Sequence, residues 1–296
     1  MYGSTGGTQH AARGCVRRTR LRAMNPLLVL AVVLGATAIA IGILVLLRRR
    51  QPEGWWVDPG RAGGVLGAAR SPFAVILAFV ILVAFQGFND AKLGAQQEAS
   101  ATRTLYKTAA LFSPAIRDQL HANLLCYARA VVSADWPAMA RGGSAIRVDE
   151  LASTIEDTIH DIHTSDGVQL SGVSDIFAEA NARERGRDSR LAEADGRVPS
   201  PVWIVILLGG AGVLAYVLLF ADPRERFVSQ AVMVGSVTTI IVGGLLLVYI
   251  LSHPYRGEAG SIEPTAMRHT IDLIEHDPAF AEGGFPHACD ARGRPL

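Results

Sequence analysis

Cysteine is scarce in this chain of 296 residues: Cys15, Cys126 and Cys289 are the only thiols. None forms a Cys-x-x-Cys pair, which excludes a zinc ribbon and a thioredoxin-like motif. Three thiols are also too few for a disulfide-dense secreted domain. Charge is missing from four long stretches. Residues 27–47, 71–89, 198–221 and 227–252 contain no Asp, Glu, Lys or Arg, and hold 21, 19, 24 and 26 residues, 90 in all. A bilayer core roughly 30 Å thick needs about 20 helical residues at a rise of about 1.5 Å each. Each stretch is long enough to span. Every charge falls in the remaining 206 residues. A purely soluble enzyme is excluded, and so is an outer-membrane barrel, whose strands alternate over about 10 residues.

Catalytic motifs are absent too. Gly-x-Ser-x-Gly, His-Glu-x-x-His and phosphate-loop patterns do not occur. Gly209-Gly210-Ala211-Gly212 lies in an uncharged stretch and follows no strand, so it is no phosphate cradle. His160-Asp161-Ile162-His163 sets two imidazoles at i and i+3, but no third ligand accompanies them. The pair reads as polar residues on a solvated helix. No basic patch is interleaved with aromatics, so no nucleic-acid partner is indicated. The chain reads as a non-enzyme without cofactor or metal. None of the spans has an ionisable residue near its centre, which argues against a proton relay.

What is present is a topology. The chain divides into an N-terminal extension (1–24, disordered or wrongly included), a first span (27–47), a second (71–89), a polar domain (90–197), a third span (200–221), a fourth (228–251) and a polar tail (252–296). The net charge of +1 averages unlike blocks. Residues 1–26 carry five Arg and no acid, the segment 90–197 has 12 basic and 16 acidic residues, and the tail has four Arg and seven acids. Arg17-Arg18 before an apolar run suggests a targeting signal, but the run is long and ends in Arg48-Arg49-Arg50, which fits an uncleaved first span. Met24 is an alternative start. From that start, the Arg-bearing loops 48–70 and 222–226 belong inside a cell membrane, with the helical domain and C-terminus extracytoplasmic. The five Arg before Met24 pull the other way.

The polar domain shows helical periodicity throughout and no strand signal. Good helix formers from Asn89 to Ala99 predict that the second span continues as one helix from Phe73 to about Phe112. Ser113 is placed to cap the next helix, with Pro114 at its first position. Ile116, Leu120, Leu124 and Tyr127 mark that helix's apolar face up to Trp136-Pro137. Further helices are predicted over 148–163 and 168–194, giving an all-α membrane protein with a helical bundle between the second and third spans. Glu263-Pro264 opens a tail helix bearing Met267, Ile271 and Ile274, and 283–296 reads as irregular. Cys126 and Cys289 lie on the same side of four spans, so they either form a disulfide or are two unrelated thiols.

Asn89-Asp90, Gln97-Glu98-Ala99, Leu105-Tyr106, Tyr127-Ala128-Arg129-Ala130-Val131 and Asp135-Trp136-Pro137-Ala138-Met139 make a recognisable series. Arg187, Arg190-Leu191, Pro201 and Trp203 continue it, followed by Pro254-Tyr255-Arg256-Gly257 and Glu263-Pro264. Over about residues 72–275 this resembles the bacterial bestrophin-like membrane proteins. The resemblance implies four membrane helices with a helical insert. Through the likeness to bestrophin anion channels, it also implies a pore. His253 stands where the family pattern has Asp or Asn.

The polar exit of the second span is the leading functional candidate. Gln86, Asn89, Asp90 and Gln97 lie near one helical face, with Glu98 beside them. Rings of such side chains in a homo-oligomer suit a pore mouth, and the acids would favour cations among inorganic ions. The alternative is a solvated helix exit. Arg183, Arg185, Arg187 and Arg190 are placed to pair with Asp90 or Glu98, to touch lipid headgroups, or to face solvent. Gly235, Thr239 and Gly243, with Gly209, Gly212, Gly35 and Gly42, provide small faces for packing within or between subunits. Two functions remain open: an oligomeric pore lined by the second helix, and a membrane-anchored scaffold or sensor whose helical domain binds a partner.

Overall fold

The computed structural model of the chain describes residues 26–50, 59–196, 198–219, 226–257, 260–278 and 289–296, with side chains in the second block from residue 71. The extension 1–24, Met24, Cys15 and most of the loop 222–226 lie outside the described residues. The described chain is helical, and its only β pairing is an isolated bridge between Cys289 and Pro295.

The helices are α1 (Pro26–Arg50), α2 (Pro59–Ala109), α3 (Pro114–Ala130), α4 (Trp136–Met139), α5 (Ile146–His160), α6 (Gly167–Ala192), α7 (Ser200–Leu219), α8 (Phe227–Ser252) and α9 (Thr265–Glu275). Four are long and apolar enough to cross a membrane: α1, α7, α8 and the part of α2 from Ser71 onward. Large apolar side chains stay exposed along all four, as a lipid solvent permits. Within the group, Ala40, Leu44, Val217 and Val234 form one buried cluster, and Leu77, Val80, Ala84, Ile206 and Val248 another.

The second helix is longer than its periodicity predicts, because it begins at Pro59. Its 51 residues reach about 75 Å at a rise of about 1.5 Å. One rod therefore serves both the membrane and the polar domain. Helix α6 returns antiparallel along its outer half: Gly172 faces Leu111 and Phe112, while Gly186 faces Gly94 and Glu98. A Cβ on Gly186 would lie 2.5 Å from the Glu98 nitrogen, and one on Gly94 would lie 2.8 Å from the Gly186 oxygen. Only glycine lets the two backbones approach this closely.

Ser113 occupies the cap position of α3, but its hydroxyl makes no cap bond, and Pro114 alone marks the start. Helix α3 runs through a π turn, Val131–Asp135, into α4. The Trp136 amide reaches back to the Val131 carbonyl, and Pro137 follows with no N–H to donate. The extra residue in the turn carries Asp135 and Trp136 together into the core. Helix α6 is capped by Asp166, whose carboxylate accepts from the Val168 amide at 2.8 Å.

The tail folds back on the bundle. Helix α9 buries Met267 and Ile274 in the same core as Leu105, Tyr127 and Ile155. Cys126 and Cys289 are joined by a disulfide, with Cα atoms 5.8 Å apart. Gly293, at φ +68°, presses on α3, where a Cβ would meet the Cys126 oxygen at 2.6 Å.

Candidate functional site

Two opposite faces of α2 carry the chemistry. One is turned inward. Glu98, Asp135 and Arg190 are each 0% exposed. Arg190 grips Glu98 with two donors, Nε to Oε2 at 2.6 Å and Nη2 to Oε1 at 3.0 Å. Its Nη2 also donates to Asp135 Oδ2 at 2.8 Å. The Tyr127 hydroxyl donates to Glu98 Oε1 at 2.6 Å, and the Ala145 amide donates to Asp135 Oδ1 at 2.8 Å. The guanidinium lies over the Trp136 ring, whose Nε1 donates to the Ile262 carbonyl at 3.1 Å.

Burial by itself lowers the pKa of Arg190, but the charge and hydrogen bonds of Glu98, with the charge of Asp135, outweigh it and hold the guanidinium above its usual pKa. Burial pushes the Tyr127 hydroxyl up, and the Glu98 charge adds to this, so Tyr127 stays a donor. Buried charges of opposite sign, fully hydrogen-bonded, make a rigid joint between α2, α3, α4 and α6.

Two more arginines extend the joint along α6. Arg187 Nη1 pairs with Asp149 Oδ1 at 2.6 Å, and its Nε lies 3.7 Å from Asp135 Oδ2. Arg183 pairs with Glu156 at 2.9 Å and lies over the Tyr127 ring. Arg183, Arg187 and Arg190 are therefore neither a solvated face nor a headgroup contact: all three are buried. Arg185 is exposed.

The opposite face of α2 is turned outward. Gln86, Asn89 and Gln97 are exposed, with Leu82 and Leu93 on the same stripe, and Asp90 is half-buried. The Asp90 carbonyl accepts from the Ser189 hydroxyl at 3.3 Å. Glu98 is not among them. It neighbours Gln97 in sequence, yet the step of about 100° per residue turns it inward onto Arg190. Its place among the mouth candidates is corrected accordingly.

Of the residues expected at a site, the structure joins Glu98 to Arg190 and Cys126 to Cys289, and leaves Gln86, Asn89 and Gln97 on a separate, open stripe. Asp135 and Tyr127 were not expected as charge partners. The available signal was Asp135-Trp136-Pro137, an acid inside an apolar helical stretch. His160 and His163 are exposed side chains bonded to the carbonyls of Glu156 and Asp161. Among the described residues no group of three or more His, Cys, Asp or Glu is placed to hold a metal.

Known proteins supply the context for this arrangement. The Bestrophin-like domain matches residues 34–267. The chain belongs to the bestrophin-like family. Solved structures share the fold of this bestrophin-like protein. A crystal structure of a single-substitution variant of a bacterial bestrophin homologue from Klebsiella pneumoniae matches at TM-score 0.65 and 12% identity, covering 84% of this chain and 99% of that one. Another variant of that homologue matches at TM-score 0.60 and 14% identity, over 83% and 96%. A further membrane protein structure matches at TM-score 0.56 and 15% identity, over 88% and 100%. No relative among curated proteins matches the chain.

Proposed function

We propose that this bestrophin-like protein assembles with copies of itself into a ring in which the α2 helices line a path for inorganic ions. The carrying observation is the outward stripe of α2. Gln86 and Asn89 are exposed within a charge-free membrane stretch, and none of the described residues of their own subunit covers them. Amide side chains facing hydrocarbon are unfavourable, so the stripe calls for water or another subunit. The stripe continues beyond the membrane through Leu93 to Gln97 on the same unbroken helix. The inward joint of Glu98, Arg190 and Asp135 supports this reading by fixing the rotation of α2 about its axis. The fold likeness to bestrophin homologues points the same way.

On this reading Asp90, half-buried beside Asn89, is the acid at the mouth, and it favours cations. The test is reconstitution of the full chain in planar bilayers with particle imaging. The expected results are rotational symmetry and a current that falls when Gln86→Cys is treated with a charged thiol reagent. A chain that is monomeric in mild detergent and passes no current overturns the proposal, and leaves a membrane-anchored scaffold as the surviving reading.

A further inference from the structure

Helix α8 ends at the membrane surface on the bundle side. It stops because Pro254 has no N–H to donate and the His253 amide turns to the Ile250 carbonyl at 3.2 Å. The Tyr249 carbonyl, left without its helical partner, accepts from His253 Nδ1 at 2.9 Å. The chain then reverses over 253–257, with Gly257 at φ +72°. The reversal folds Arg256 back along α8. There its Nη1 donates to the Tyr249 hydroxyl at 2.8 Å, and its guanidinium lies over the Tyr249 ring. Trp203, in the first turn of α7, meets the same ring edge-on, with centroids 6.4 Å apart. A tryptophan and a tyrosine at one level, opening one span and closing the next, mark the headgroup layer.

Arg256 is exposed in that layer, and among the described residues it meets no carboxylate: its acceptor is a neutral phenol. Most of its N–H groups remain to donate. The Tyr249 hydroxyl accepts from Arg256, so its own proton also remains to donate. Two neighbouring donors, one of them cationic, are thus held at the depth where a bilayer places its phosphates. An arginine that only sought water would extend away from the membrane, and this one is folded toward it. The bundle above carries more acids than bases, 16 against 12 over residues 90–197, which disfavours a free anion. A phosphate tethered in the bilayer by its acyl chains does not have to cross that field. We infer that Arg256 and Tyr249 bind the phosphate of an anionic phospholipid, the guanidinium and the phenol both donating to its oxygens. The inference does not rest on the pore reading.

The test uses the full chain in mild detergent, titrated with phosphatidylglycerol and followed by native mass spectrometry and by melting temperature. The parent is expected to retain phosphatidylglycerol in preference to diacylglycerol with the same acyl chains, and to melt higher with it. Arg256→Gln is expected to weaken that binding by roughly tenfold or more, as for one lost charge-assisted partner. Tyr249→Phe is expected to weaken it by about threefold or more, as for one lost neutral hydrogen bond. Arg185→Gln, on the exposed surface of the bundle, is expected to bind like the parent. Tyr249→Phe keeps the ring against Trp203, so it carries the test if Arg256→Gln does not fold. Parent-like binding of phosphatidylglycerol by both variants, or equal retention of diacylglycerol, overturns the inference. Inorganic phosphate that raises the melting temperature through Arg256 as much as phosphatidylglycerol does assigns the site to a free anion, and overturns the lipid in the same way.

Discussion

At the scale of single residues, the joint around Arg190 and the surface pair Arg268–Glu263 are chemically similar ion pairs in opposite surroundings. Glu98 and Arg190 are fully buried, whereas the side chains of Arg268 and Glu263 are 52% and 67% exposed. Removing one member of a buried pair strands its partner's charge, at a cost of about 3–5 kcal/mol. An exposed pair contributes about 0–1 kcal/mol. Glu98→Ala is therefore expected to lower the unfolding temperature in detergent strongly, Glu98→Gln less because an acceptor remains, and Arg268→Ala hardly at all. Equal shifts for Glu98→Ala and Arg268→Ala would refute the reading of this joint.

His121 offers a second residue-level test, through pH. Its ring is buried, stacks on Tyr106 and bonds the Tyr106 carbonyl through Nε2 at 2.8 Å. Burial pushes its pKa below 6.5, against the smaller opposing effect of that carbonyl. The folded state then resists a proton that the unfolded chain accepts below about 6.5. Stability from this site is intact above about pH 6.5 and is lost as pH falls through that value. Melting curves at pH 7.5 and 5.5 are expected to show a larger drop for the parent than for His121→Gln. Parallel drops would remove His121 from the account.

At the scale of elements, α2 and α6 are held by shape before charge. Gly186 and Gly94 permit the close crossing, and the crossing brings Arg190 to Glu98. Gly186→Val is expected to push the helices apart and cost at least about 1–3 kcal/mol in overpacking, read as a fall in melting temperature. Gly167→Ala, at the start of the same helix with open space around it, is the control and is expected to melt like the parent. A harmless Gly186→Val would show that the crossing is looser than its geometry.

Much of this architecture was legible because helical periodicity is local. The uncharged stretches and the apolar faces of α3, α5, α6 and α9 are visible in short windows of sequence. The partner of a buried charge is not. Glu98, Asp135 and Arg190 come from three separate segments, and a run of arginines looks the same whether it meets water or carboxylates. Gln86, Asn89 and Gln97 could be placed on one face by spacing, but Glu98 required knowing which way α2 is turned. The start of α2 at Pro59 was hidden because Gly60, Gly63, Gly64 and Gly67 crowd its first turns and Pro72 follows, composition that normally interrupts a helix.

At the scale of the whole molecule, the question is which side of the membrane the bundle occupies. The insert follows the second span and the tail follows the fourth, so both lie on one side. The packing of α9 against the core and the Cys126–Cys289 link agree with that. A persistent disulfide belongs to an oxidising compartment. Arg48, Arg49 and Arg50 close the first span at the opposite face, where basic residues mark the cytoplasm. The two arguments are independent, and from them we propose an extracytoplasmic bundle. Expressed in bacteria, a fusion at Leu296 is then expected to activate a periplasm-dependent phosphatase and to silence a cytoplasm-only fluorescent reporter. Non-reducing gels are expected to show a mobility shift that Cys289→Ser abolishes. Deleting residues 1–23 removes five Arg from the bundle's own side of the membrane, where they work against this orientation, and is expected to strengthen the phosphatase signal. A fluorescent cytoplasmic reporter at Leu296, with both thiols free to alkylation, would invert the orientation and place the Asp90 mouth toward the cell interior.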